Sequence, residues 1–300
     1  MNSPEPSVYA SDSGLILLDF NSSFIYFALR KKGVQVFTRE VNQQKFINVG
    51  VASIYAEPTF LSPIVTQAIL GEQLSVLNMK DDWLYIRQWD EYEGWLYRFS
   101  VVDPPDEWEP NIRYGEPHGW VYQHPSATSG PVRQICIGVE LPGEMTDEQW
   151  MKVILPDGMT GYVKTRELSQ NGESDRQQVL ASAERFLGAS YLWGGKTALG
   201  FDCSGYVQTV FWLHGIRLRR DAWQQAAQTR VLSGRPELQP GDLVFFTKND
   251  QVDHVGIAYD PDRFIHCSGW VRVNSFDENA PDYDQRLDRI FSGANRVIQD

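Results

Sequence analysis

Three hundred residues, at about 150 per domain, point to two domains and supply enough chain for a sizeable core. The 39 acidic residues outnumber 27 basic ones, and a net charge of −12 argues against a nucleic-acid backbone or an anionic membrane surface as the main partner. With 42% hydrophobic and 22% charged residues the chain is not generally disordered, and its 10 Trp, 13 Tyr and 15 Phe exceed what a core of this size needs, which points to aromatic-lined pockets.

No apolar run approaches the ~18 residues of a membrane span. Met1–Ser13 lacks a basic segment and the apolar stretch Leu15–Leu18 stops at Asp19, so the start does not read as a secretory leader. A cytoplasmic location is expected, or an exported one if a leader was removed ahead of Met1. Cys136, Cys203 and Cys267 are far apart and include no Cys-x-x-Cys, which disfavours a disulfide scaffold or a Cys-rich zinc site. No cofactor and no metal are expected, and no obligate protein partner is evident.

A shift of 67 residues lays the chain on itself without a gap: Tyr55 on Tyr122, Pro58 on Pro125, Gly71 on Gly138, Trp83 on Trp150 and Gly94 on Gly161. Each copy reads as short strands between polar turns, Leu74–Leu77, Leu84–Gln88 and Gly94–Tyr97 in the first, Met151–Leu155 and Gly161–Lys164 in the second. Such units make small barrels. This pattern resembles bacterial SH3-like domains, which bind or flank cell-wall peptides. The first barrel is placed at 48–103 and the second at 112–170, with the Pro-rich stretch Asp103–Pro110 as linker. Residues 1–47 have no copy; Leu15–Asp19, Phe24–Ala28 and Val34–Phe37 read as extra strands packed on the first barrel.

Near Ser174 the period changes from two to 3.6. Ser174 and Gln177 form a capping box for a helix whose apolar stripe is Val179, Leu180, Ala183, Phe186 and Leu187. Asp202 caps a second helix that runs to Gly215. Strand-like Leu243–Phe246, Val255–Tyr259 and Phe264–Cys267 follow, so residues 171–300 read as an α+β domain.

Cys203 lies one position after that N-cap, where unpaired N–H groups and the helix dipole stabilise thiolate and lower the thiol pKa. Gly205 keeps the turn open for a substrate carbonyl. A nucleophilic Cys needs a base, and the base an orienting group. His254 and His266, at the two ends of one predicted hairpin, share a sheet face if the turn has three or five residues. A zinc site built from Cys203, His254 and His266 is the rival, with no carboxylate or second thiol to complete it. Cys267 points to the opposite face and is packing; Cys136 overlays Ile69 and is barrel core. The acidic run Asp277–Asp284 reads as a solvated loop.

Residues 191–206, with Arg220-Asp221, Pro240-Gly241-Asp242-Leu243 and His254-Val255-Gly256-Ile257 in the same order, resemble the active-site segments of the NlpC-type cell-wall cysteine peptidases. The resemblance implies an α+β, papain-like catalytic domain behind two small all-β SH3-like barrels. It assigns Cys203 as nucleophile, His254 as base, His266 as orienting residue and Tyr191 to the oxyanion hole. Tandem SH3-like domains ahead of such a domain further resemble γ-D-glutamyl-L-diamino-acid endopeptidases that recycle murein peptides. That implies murein-derived peptides as substrates, with Asp221 holding the free amine of the terminal L-Ala, Trp193 as a pocket wall and Ser204 also against substrate. From the first barrel it implies an aromatic residue, for which Tyr92 fits, and an acid, for which Glu57 stands in because Pro63 occupies the usual position. Ala222 replaces the Ser that often follows that Asp. Three alternatives remain: Asp221 as a plain helix cap, a secreted hydrolase of intact peptidoglycan, and a non-catalytic wall-binding protein.

Overall fold

The computed structural model describes residues 43–103, 105–169 and 175–298, and the backbone of four strands before them. Those four, Ser7–Ala10, Leu15–Phe20, Ser23–Arg30 and Gly33–Phe37, make an antiparallel sheet of their own. The expected packing of this segment on the first barrel lies outside the described residues. Its last stretch departs from the expected boundary, because Gln43–Ile47 pairs with Gln73–Lys80 inside the first barrel's seven-stranded sheet. Phe46 and Ile47 are buried there, so the barrel takes in this strand for its core.

The two barrels repeat element for element at the spacing seen in sequence. Val51–Tyr55, Ile64–Ile69, Trp83–Arg87 and Glu93–Tyr97 in the first answer His118–Tyr122, Pro131–Cys136, Trp150–Ile154 and Thr160–Lys164 in the second. Each copy closes with a 3₁₀ turn, Arg98–Ser100 and Thr165–Glu167. The repeated glycines have a steric cause. A Cβ on Gly94 would meet Ile54 Cγ2 at 2.6 Å, and one on Gly161 would collide with Val121 Cγ1, so the strand crosses its neighbour only without a side chain. Cys136 is buried in the second core with Val121, Ile135 and Val163, as its overlay on Ile69 predicts.

The third domain is an antiparallel six-stranded sheet in the order Arg230–Val231, Phe291–Arg296, Leu243–Lys248, Gln251–Ala258, Arg263–Ser268, Trp270–Ser275. Helices α1 (Arg176–Glu184) and α2 (Cys203–Trp212) bury one face through Val179, Tyr206, Val210, Phe245 and Ile257. The other face packs Phe246, Phe264 and Phe276 against Leu287 of α4 (Gln285–Ile290). A short helix, α3 (Ala222–Gln228), follows the Arg220-Asp221 segment. Ser174 lies outside the described residues, and the cap of α1 is one residue on: Asp175 accepts from Gln178 N–H at 2.8 Å while Gln178 Oε1 accepts from Asp175 N–H at 3.1 Å. That helix stops at Glu184, leaving Phe186 buried but Leu187 exposed. The acidic run is only partly a solvated loop, since Asp284 caps α4 through Leu287 N–H at 3.0 Å. None of the described helices is long and apolar enough to cross a membrane.

The barrels are clamped to the catalytic domain rather than strung beside it. Gly194, at φ +75°, lies against the Ile64 carbonyl, and Gln67 Oε1 accepts from Lys196 N–H at 3.0 Å. Gln208 Nε2 donates to Asp90 at 2.8 Å, and Trp212 Nε1 to Gly138 O at 3.3 Å. Replacing Gly161 with Ala should therefore cost about 1–3 kcal/mol of stability by overpacking Val121, measured by thermal or denaturant unfolding, with hydrolysis at low temperature retained.

Candidate active site

The site begins at the buried start of α2. Asp202 caps the helix, its Oδ1 accepting from Gly205 N–H at 2.7 Å and its Oδ2 from Gly194 N–H at 3.0 Å. Arg220, 1% exposed, forks onto both oxygens of Asp202 and donates through Nε to Thr66 Oγ1 of the first barrel at 2.9 Å. Together these fix Cys203 in place. The sulfur lies against the backbone around His254, donating to Asp253 O at 3.8 Å and receiving the Val255 N–H.

The expected depressed thiol pKa is not what the site produces. Burial, and secondarily the Asp202 carboxylate, push Cys203 up to about 12, outweighing the Val255 and Ser204 N–H groups. Burial and the neighbouring His266 hold His254 well below its usual 6.5. Burial thus favours the neutral thiol and the neutral imidazole.

In the histidine hairpin Ala258 pairs with Phe264 and Gly256 with His266, and His254, two residues before Gly256, falls on the same sheet face as His266. His254 Nε2 and His266 Nδ1 are 2.8 Å apart, and His266 Nε2 lies 2.9 Å from Asn274 Oδ1. Asn274 Nδ2 donates to Asp282 O at 2.7 Å, which fixes the amide's orientation. Its oxygen must then accept from His266 Nε2–H. Burial lowers His266 to about 4, so the ring is neutral and its Nδ1 accepts from His254 Nε2–H. That chain of bonds leaves the lone pair of His254 on Nδ1, the nitrogen free to take the thiol proton. With both ring nitrogens of His266 engaged, the rival zinc site has no ligand there, and among the described residues no metal-binding group of His, Cys, Asp or Glu is found.

Tyr191 is half-exposed, and burial followed by the nearby Cys203 raises its hydroxyl, keeping it a proton donor beside the sulfur. Asp221 is the N-cap of α3, with its N–H given to Gln224 Oε1 at 3.0 Å. Its carboxylate is bound by the Tyr92 hydroxyl of the first barrel and by Trp223, and burial raises its pKa despite Arg220. The cap and the barrel contact therefore coexist in one residue. Trp193 is 66% exposed, placed at a rim rather than in a core.

Three expectations are corrected. Ser204 is buried with its hydroxyl engaged by Arg220 at 3.0 Å and directed to Asp202 at 3.4 Å, so it supports the nucleophile's helix instead of meeting substrate. Gly205 packs against the Gly195 carbonyl and leaves no open space for a substrate carbonyl. Glu57 is exposed in the turn between Val51–Tyr55 and Ile64–Ile69, its backbone bonded to Ser62. Among the first barrel's acids, Glu72 pairs with Lys196 at 3.5 Å, and Asp90, 3% exposed, reaches α2, accepting from Gln208 as well as from Tyr92 N–H at 3.1 Å. Asp90 and Asn274 escaped the sequence reading; only the adjacency of Asp90 to Tyr92 gave any signal. Cys267 is fully buried on the opposite face, its thiol donating to Phe201 O at 3.2 Å.

A thiol at a capped helix start, facing a paired-histidine hairpin on an antiparallel sheet, is the arrangement of a papain-like cysteine peptidase. Comparison with known proteins agrees. Residues 188–289 match the NlpC/P60 family and residues 54–98 the bacterial dipeptidyl-peptidase Sh3 domain. The chain is 28% identical over 264 residues to dipeptidyl-peptidase 6 of Lysinibacillus sphaericus, covering 79% of this chain and 93% of that one. It is 27% identical over 264 residues to the γ-D-glutamyl-L-lysine dipeptidyl-peptidase of Bacillus cereus, covering 80% and 77%. An NlpC/P60 family protein crystal structure from Bacillus cereus superposes with a TM-score of 0.75 at 23% identity, covering 84% of this chain and 99% of that one. The catalytic domain is thus a cysteine peptidase domain of the NlpC/P60 kind behind SH3-like domains, and the relatives it matches support a hydrolase of peptidoglycan peptides.

Asn274→Leu should lower kcat by up to about 10²-fold with little change in KM, because the base loses its fixed tautomer while the binding cleft is untouched. Nitrogen-detected NMR should show His266 exchanging between its two tautomers. The low His266 pKa also sets a pH effect on folding: the unfolded ring takes up a proton below its usual 6.5, the folded ring only below about 4. Stability should thus fall as pH drops from 6.5 to 4, and His266→Gln should flatten that slope in thermal melts.

Proposed function

We propose that the protein hydrolyses the γ-D-glutamyl–L-diamino acid bond of murein stem peptides, with diaminopimelate or Lys as the diamino acid, and that it selects peptides whose terminal L-Ala amine is free. The observation that carries this is the Asp221 carboxylate, partly desolvated and held by Tyr92 from the first barrel beside the buried start of α2. An ammonium paired there gains a charge-assisted bond, and an acylated amine would leave the carboxylate buried and unmatched. The name of the Bacillus cereus relative supports the choice of bond. Recycling of peptides already released from the wall is the role that suits such selectivity.

In the reaction, Cys203 gives its proton to His254 Nδ1 as sulfur attacks the γ-glutamyl carbonyl. Tyr191 and the Cys203 N–H meet the oxyanion. His254 returns the proton to the leaving amine as the C–N bond breaks, which leaves a thioester on Cys203. A water deprotonated by His254 then releases the L-Ala-γ-D-Glu carboxylate and restores the thiol.

Cys203→Ala or His254→Ala should abolish hydrolysis with the fold intact, and His266→Ala should be milder. Chelators should have no effect; retained turnover in Cys203→Ala would refute the assignment. Asp221→Asn should reduce kcat/KM for L-Ala-γ-D-Glu-diaminopimelate at least about tenfold more than for the N-acetylated peptide. Wild-type cleavage of free peptide, N-acetylated peptide and intact murein at similar rates would instead make the protein a wall hydrolase.

A further inference from the structure

Arg272 stands on the sheet face that carries the catalytic histidines. Its strand, Trp270–Ser275, pairs with Arg263–Ser268 so that Arg272 lies directly opposite His266, with Trp270 and Asn274 on the same face to either side. Asn274 fixes the histidine tautomer; Arg272 has no part in that. Its guanidinium lies 4.7 Å from the centroid of the half-exposed Trp270 indole. Trp270 bridges to Ser190, and Tyr191 N–H donates to Gly269 O at 2.8 Å, so indole and guanidinium border the oxyanion side of Cys203. The charges of Arg272 and of Arg286 on α4 bear on His254, and those two with Asp284 bear on His266.

The hydrogen-bonding capacity of Arg272 is unspent. Its Nε is buried without a partner, and its Nη2 comes only within 3.9 Å of Asp284 Oδ2, an ion pair too long for a hydrogen bond. Asp284 spends Oδ1 on the Leu287 N–H of α4, and among the described residues no hydrogen bond reaches its Oδ2. Both side chains are partly exposed. Asp221, the anchor proposed for the terminal amine, has Arg220, Asp202 and Tyr92 for neighbours instead. A peptide with its amine on Asp221 and its γ-glutamyl carbonyl on Cys203 carries the diamino acid past His254, away from Asp221 and toward Arg272.

We infer that Arg272 and Asp284 together read the zwitterionic end of the leaving diamino acid, so that the protein takes diaminopimelate in preference to lysine. This rests on the bond assigned under the proposed function and chooses between the two diamino acids left open there. Two opposite charges held apart, each with free hydrogen-bonding capacity, match a carboxylate and an ammonium on one carbon. The guanidinium fork takes the carboxylate, Asp284 the ammonium, and Trp270 offers its face to the methylene stem. Lysine ends in an ammonium alone and leaves the fork of Arg272 unmatched, which is the kind of deficit a polar site rejects strongly.

Steady-state hydrolysis by the full chain of L-Ala-γ-D-Glu-meso-diaminopimelate, of the same peptide amidated at the distal carboxyl, and of L-Ala-γ-D-Glu-L-Lys tests this. The wild-type kcat/KM for the first peptide should exceed that for either of the others at least about tenfold. Arg272→Gln should bring the ratio of diaminopimelate to lysine peptide to within about twofold of one, and Asp284→Asn, which can still cap α4, should lower it as well. Any effect of the lost cation on His254 falls on both peptides alike, so the ratio reports recognition and not a disturbed base. Equal wild-type rates on all three peptides, or an unchanged ratio in Arg272→Gln, would overturn the inference and leave the assigned bond standing. Wild-type hydrolysis of none of them would overturn both. The comparison of acid with amide needs no variant, so it holds even if Arg272→Gln does not fold.

Discussion

Everything at the catalytic end of this molecule hangs on one buried ion pair, Arg220 with Asp202. Asp202 accepts five hydrogen bonds, from two backbone N–H groups, Ser204 and both arms of the guanidinium. The pair is almost sealed from solvent, so either partner alone would be an uncompensated charge, at a cost of about 3–5 kcal/mol. What the pair secures is position. It fixes the first turn of α2, hence the direction in which the Cys203 sulfur points. Through Thr66 it also fastens that turn to the first barrel.

This explains why the barrels belong to the site and are not a detachable wall anchor. The first supplies Thr66 and Gln67 to the buried frame, Asp90 to α2 and Tyr92 to Asp221. The second holds the other end of α2 through Gly138 and through Arg113, which donates to Leu213 O at 3.0 Å. The nucleophile's helix is thus gripped at both ends by the repeated domains, and the Asp221 carboxylate is held by one of them.

Much of this was legible in sequence where a residue type has a single local cause. The repeated glycines and tryptophans announced the barrels because a strand crossing tolerates only Gly and because each core needs its Trp. Asp202 before Cys203 announced a helix start. Features that depend on register or on three-dimensional neighbours were not legible. Ser174/Gln177 and Asp175/Gln178 offer the same capping pattern, and the structure uses the second. Asn274 lies eight residues from His266 and meets it only because Arg263–Ser268 pairs with Trp270–Ser275. The rise in the Cys203 pKa is not legible in sequence because the helix dipole is a local signal, whereas burial is the sum of everything packed above it. Glu57 was chosen by position along the chain; Asp90 reaches α2 because the turn before Tyr92 points into the catalytic domain.

The central claim is that one thiol of three performs the chemistry. All three are pushed up to about 12 by burial, so acidity alone does not distinguish them. Exposure and the His254 base do: Cys203 is 8% exposed, Cys136 1% and Cys267 0%. The most direct measurement is inactivation by iodoacetamide near neutral pH, with peptide mapping of the alkylated residue and protection by the free murein tripeptide. The account predicts that loss of activity tracks one equivalent of label on Cys203 and that the peptide slows it. Full activity after Cys203 is alkylated, or inactivation that tracks Cys136 or Cys267 instead, would contradict it.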